Sequence, residues 1–241
     1  MQISRMVFER VLALTVALLV VMGASIMVMQ RIYHDRWYYV SEFGAAGLET
    51  EEDFKVGFTM LACGILLAAW PLRTVTRTSS GRRLFVMPWM TVGLAGVCFF
   101  VASQVNCTES CPSLANPEAT TRDLVHVWFA IAGFVFGCLT MLLMAAARKG
   151  RLRHVTIVAA IAIGVISGTG GLLSLAGSTS ELGAILEHVA TGIGLVWLLW
   201  AVFSEVGRSQ RNFLSELQRD TRRADGESTH QPREDPALDQ A

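Results

Sequence analysis

Charge is scarce in this chain: Asp, Glu, Lys and Arg make up 17% of its 241 residues, against 52% hydrophobic residues and a mean hydropathy of +0.45. Soluble domains carry about 25% charged residues, so an ordinary soluble fold is set aside and a membrane protein becomes the leading class. Several motifs that announce a chemistry are also missing. There is no phosphate-binding glycine loop, nucleophile elbow, His-Glu-x-x-His helix or cysteine-paired zinc motif. The run Gly168-Thr169-Gly170-Gly171 falls inside an apolar stretch, where it reads as helix packing or a kink. Arginines are scattered, which gives nucleic-acid binding no support.

What the chain does have is long apolar runs, and six are long enough for a bilayer, which needs roughly 20 residues per helix. They lie near residues 11–29, 56–72, 84–105, 124–147, 155–177 and 184–204. Runs this continuous mean helices, because a spanning backbone must satisfy its own hydrogen bonds. The expected fold class is therefore all-α, a polytopic six-helix transmembrane domain over residues 1–204. The first run follows Arg5 and Arg10 like a signal peptide, yet its apolar core is too long and lacks a small-x-small cleavage site, so it reads as a retained helix. Beyond it all, Val206, Phe213, Leu214 and Leu217 recur at helical spacing, predicting a helical extension over 205–223. Residues 224–241 have almost no large apolar side chains and are expected to be disordered.

Charge asymmetry orients the bundle. With the N-terminus inside, 16 basic residues fall on the inner side and four (Arg31, Arg36, Lys55, Arg122) on the outer side. Both termini are then cytoplasmic. The zero net charge hides about −7 outside and +7 inside, and the inner arginines suit anionic lipid headgroups, the expected partners. Trp37, Tyr38, Tyr39 and Trp128 fall at one interface, and Trp70, Trp89 and Trp200 near the other, as anchors. Short loops point to a bacterial inner membrane. Asn106-Cys107-Thr108 matches a glycosylation sequon but lies hard against the third helix.

Small residues at helical spacing mark faces where helices approach closely. His126, Ala130, Gly133 and Gly137 form such a face on the fourth helix, Gly164, Gly168 and Gly171 on the fifth, and Glu187, Ala190, Thr191 and Gly194 on the sixth. His126 and Glu187 thus head packed faces, with Asp123 one turn before His126 and His188 beside Glu187. Ionisable groups in a membrane face a cavity or one another, so Glu42, Asp123, His126, Glu187 and His188 are the candidate lining of an outward-facing polar pocket. A structural reading stands beside this one, in which the acids sit at helix N-termini favoured by the dipole and a histidine locks two helices together. Three chemistries are open. One is binding of a lipid or small ligand, or an accessory role. Another is a zinc hydrolase, with Asp123, His126 and His188 as metal ligands and Glu187 as general base. The third is a proton-coupled transporter using His126 and Glu187. A haem needs two histidines at matched depth, and His126 and His188 are both near the outer surface.

Of the five cysteines, Cys63, Cys98 and Cys138 lie within apolar runs and read as small buried residues. Cys107 and Cys111 lie in the outer loop "NCTESCPSLANPEATTRDLVH" (residues 106–126), where an oxidising compartment favours a disulfide between them. The alternatives there are a zinc site, for which Cys-x-x-x-Cys is a weak spacing, or a plain loop. So small a ring adds little loop entropy and would serve shape.

The order of short motifs carries a resemblance. "SEFGA" (41–45) follows the first helix, "CTESCP" (107–112) the third, a histidine opens the fourth in "LVHVWFA", and an acid opens the sixth in "LEHVATGIGLVW". Together they resemble the family of six-helix membrane proteins catalogued as domain of unknown function 998, itself distantly similar to DRAM-like and other lipid-associated six-helix proteins. The resemblance covers roughly residues 8–204. It implies the six-helix fold and supplies no reaction.

Overall fold

The computed structural model describes residues 2–33, 37–109, 111–112, 115–175 and 181–228. The described residues are helical, joined by turns, with one isolated antiparallel bridge between Arg77 and Arg83. The helices are α1 (Gln2–Tyr33), α2 (Glu51–Leu67), the single turn α3 (Ala69–Leu72), α4 (Pro88–Gln104), α5 (Thr121–Ala147), α6 (Gly150–Leu175) and α7 (Glu181–Ser228). A 3-10 turn, Val40–Gly44, lies between α1 and α2. Five spans are long and apolar enough to cross a membrane: Met6–Tyr33, Glu51–Leu72, Thr121–Ala147, Gly150–Leu175 and Glu181–Arg219. Pro88–Gln104 is a shorter apolar helix.

Helix boundaries follow local chemistry more than the apolar runs. α2 begins ahead of its run because Glu51, Glu52 and Asp53 occupy its first turn, where the dipole favours acids. α4 begins at Pro88, later than the run, since proline suits the first helical position and forces an extended residue before it. Met87 is extended, at φ −94° and ψ 144°. Leu84 instead donates its N–H to Thr76 in the preceding turn. α5 opens on a capping box in which Thr120 receives the Asp123 N–H and the Asp123 side chain returns to Thr120. α7 continues unbroken to Ser228, because no proline interrupts 181–228. Its helix thus takes in 224–228, the start of the segment expected to be disordered; the remaining residues, 229–241, lie outside the described ones.

Neighbours in sequence pack together: α1 on α2, α2 on α4, α4 on α5, α5 on α6 and α6 on α7, while α7 returns to α1. The core is apolar and mostly aliphatic, and includes Val16, Val20, Leu72, Met144, Trp197 and Val202. α1 and α2 touch through paired glycines, since a Cβ at Gly23 would stand 2.5 Å from the Gly57 carbonyl oxygen. In a bilayer such close backbone approach supplies much of the association energy. Polar pairs add to it: Thr91 and Thr140 hydroxyls are 2.8 Å apart between α4 and α5, and Trp197 donates to Thr156 between α7 and α6 at 3.1 Å. At the end of the bundle opposite the cysteines, Arg148 makes a two-pronged contact with the buried Glu205, and Arg73 lies 4.0 Å from Glu9.

The small-residue face expected on the fifth helix turns outward. Gly164, Gly168 and Gly171 are exposed, with no atom of the described residues within 4 Å of a would-be Cβ. Packing instead uses Ala159, Ile163 and Gly170, about a quarter-turn or more away, with Ala160 at the edge of the stripe. Small residues permit close approach without compelling it, so the stripe alone did not choose the face.

Candidate functional site

The cysteine end of the bundle is built by the 3-10 turn, the loop after α4, and the first turns of α5 and α7. Cys107 and Cys111 are disulfide-bonded, with Cα atoms 5.1 Å apart. Cys107 is fully buried and Cys111 partly so. Cys111 has φ +40°, a left-handed conformation uncommon outside glycine. The loop is fastened on both sides: the Cys107 carbonyl accepts the Ala46 N–H at 2.9 Å, and the Thr108 N–H and hydroxyl donate to Asp123 at 2.7–3.0 Å. Asp123 also accepts the N–H and hydroxyl of Thr120, at 2.8 and 2.7 Å. Its carboxylate, fully buried, therefore serves two masters, the α5 cap and the cysteine loop.

His126 is 2% exposed. Its Nδ1 lies 2.9 Å from the Ala102 carbonyl and 2.7 Å from that of Val105. Carbonyls only accept, so Nδ1 carries the proton and the remaining lone pair sits on Nε2. The Ala102 carbonyl belongs to the last turn of α4 and that of Val105 to the capping residue after it, where C=O groups lack helical partners. The histidine thus satisfies a neighbouring helix end through its backbone. Nε2 itself is buried with no hydrogen-bond partner among the described residues.

Glu187 accepts the Val40 N–H at 2.8 Å and so ties α7 to the 3-10 turn. Glu42 accepts the Tyr39 N–H within that turn at 2.6 Å. His188 Nδ1 lies 2.8 Å from the Ala184 carbonyl one turn back, and its ring meets Trp37 and Phe43 edge-on. Beneath this cap lies a cavity of about 120 Å³, to which all the long helices and the 3-10 turn contribute. Its wall is mostly Phe, Leu, Ile, Met and Ala side chains, with Ser41, His126, Thr140, Glu187 and Thr191 as its polar members. The small-residue faces of α5 and α7 form part of this wall, through Ala130, Gly133, Gly137, Thr191 and Gly194.

The structure therefore brings His126 and Glu187 to one cavity, while Glu42, Asp123 and His188 hold other parts of the cap together. The three metal-ligating atoms that gather within 4.8 Å of one another, among the described residues, belong to Cys107, Cys111 and His126, and not to Asp123, His126 and His188. Periodicity could not have found the partners of His126 and Glu187, because both are backbone groups that no residue type advertises. The Thr120–Asp123 capping box, by contrast, was open to sequence inspection as T-x-x-D before an apolar run.

No curated protein and no solved structure matches the chain, so the wider DRAM-like likeness has no support from them. The family model described as a protein of unknown function (DUF998) matches residues 11–204, and the chain belongs to that family.

Proposed function

We propose that this multi-pass membrane protein binds the apolar portion of a lipid-like amphiphile in its cavity, with the polar head toward His126 and Glu187. Its setting in this reading is a bacterial inner membrane with both termini cytoplasmic, as the arginine distribution favours. The supporting observation is the cavity: an apolar wall with a few polar groups is the usual character of a small-molecule site. An apolar void of about 150 Å³ takes a guest the size of benzene, so about 120 Å³ suits a short stretch of one acyl chain more than a whole lipid.

The test uses a dansyl-labelled long-chain alcohol and the detergent-purified full chain, read by tryptophan-to-dansyl energy transfer and displaced by unlabelled alcohol. Gly137 lines the cavity with nothing within 4 Å of a would-be Cβ, so Gly137→Phe fills the space without a backbone clash. Saturable, displaceable transfer in the parent protein that disappears in Gly137→Phe, at unchanged thermal stability, is the expected result. Equal transfer in both proteins sinks the reading.

A further inference from the structure

We propose that the cap is a redox-gated metal site: with its disulfide reduced, Cys107, Cys111 and His126 bind one thiophilic divalent cation of the zinc class. This goes beyond the cavity reading and does not depend on it. Three observations converge. The two sulfurs and a ring nitrogen of His126 lie mutually within 4.8 Å. Zinc bonds of about 2.3 Å to sulfur and 2.0–2.1 Å to nitrogen place tetrahedral ligand atoms roughly 3.5–3.8 Å apart, so small side-chain movements suffice once the sulfurs part.

His126 is also prepared as ligating histidines are. Such a histidine almost always donates its other ring N–H to a carboxylate or backbone carbonyl, which fixes the tautomer. Here Nδ1–H donates to Ala102 and Val105, leaving a lone pair on Nε2. That atom has no hydrogen-bond partner among the described residues, in a residue only 2% exposed, and a buried polar atom left without a partner is costly. A cation would satisfy it. Finally, the cysteine loop is anchored by Asp123 through Thr108, while Cys111 carries a φ of +40°, uncommon outside glycine. Reduction leaves Cys107 in place and frees Cys111 to open the ligand set.

The chemistry balances in two steps. A dithiol reductant supplies two electrons and two protons to the Cys107–Cys111 bond and departs as its own disulfide, leaving two protein thiols. The cation then displaces both thiol protons and takes two thiolates and one imidazole nitrogen. Three protein ligands leave a fourth position for water or a ligand, the arrangement of reactive zinc sites. His126 also lines the cavity, so that position is next to the space where the apolar guest would sit.

The experiment titrates Cd²⁺ and Zn²⁺ into detergent-purified full chain, anaerobically after reduction and in parallel after oxidation, with Cys63, Cys98 and Cys138 replaced by alanine. The thiolate-to-cadmium charge-transfer absorption reports ligation directly. Expected are one cadmium per reduced chain, none per oxidised chain, and at least about tenfold weaker binding in His126→Ala. Cys111→Ser, at a partly exposed loop position, provides a variant whose helical circular dichroism should match the parent while the band is lost. The proposal is overturned if the folded, reduced protein shows no band. It is equally overturned if the oxidised protein or Cys111→Ser binds as tightly as the reduced parent, or if a folded His126→Ala does.

Discussion

Arg148→Ala should be among the most damaging single changes at the bundle end opposite the cysteines. Arg148 leaves the C-terminus of α5 and grips Glu205 of α7 with two prongs, Nε–Oε1 being 2.8 Å. The Glu205 side chain is 1% exposed and that of Arg148 16%, so the pair is largely out of solvent. Breaking a buried pair by removing one partner costs about 3–5 kcal/mol, because an uncompensated charge is left behind. Arg208 offers partial relief, with Nε 3.9 Å from Glu205 but a side chain 44% exposed, which places the expectation near the lower limit, about 3 kcal/mol. Replacing both partners by apolar residues removes the charge problem, so Arg148→Met with Glu205→Leu should lie within about 1 kcal/mol of the parent. The measurement is the unfolding free energy in mixed detergent micelles titrated with dodecyl sulfate, for the parent, each single variant and the double. A loss under about 1 kcal/mol for Arg148→Ala, or a double variant as unstable as the single, would show that the pair does not hold this end of the bundle together.

The glycines divide by what surrounds them. Gly23→Ala should cost about 1–3 kcal/mol by overpacking, since its Cβ meets the Gly57 carbonyl at 2.5 Å, whereas Gly137→Ala meets nothing within 4 Å and should stay within about 0.5 kcal/mol; the same unfolding titration compares them. Thr140→Val removes the 2.8 Å contact to Thr91, and interhelical hydrogen bonds average about 0.6 kcal/mol with a maximum near 1.7, so a loss above about 2 kcal/mol would point to a packing role instead. For orientation, cysteines introduced at the exposed positions Glu49 and Ser80 should differ towards a membrane-impermeant maleimide. Glu49→Cys should label in intact cells, and Ser80→Cys only after permeabilisation. The reverse pattern would invert the topology.

What the sequence could reveal depended on which constraint was strong enough to leave a mark. A bilayer demands about 20 apolar residues per span, and that demand made the helices legible while blurring their ends. Pro88 moves the start of α4 past Leu84, and acids at 51–53 pull α2 ahead of its run. Helical counting placed His126 and Glu187 on inward faces, where both now line the cavity. It failed for Gly164, Gly168 and Gly171, because exposure to lipid penalises small residues too little to keep them off an outer face. The partners of the buried polar groups were the least legible. His126 is held by carbonyls of Ala102 and Val105 and Glu187 by the N–H of Val40, and a backbone group has no side-chain signature. That same blindness hid how near His126 comes to the two cysteine sulfurs. The α4 helix ends at Gln104, so Asn106 and Cys107 follow directly on the carbonyls of Ala102 and Val105 that His126 reaches for. A histidine drawn to the end of one helix is thereby carried to the two sulfurs that follow it, and the meeting of these three residues is a consequence of where α4 stops more than of any spacing among them.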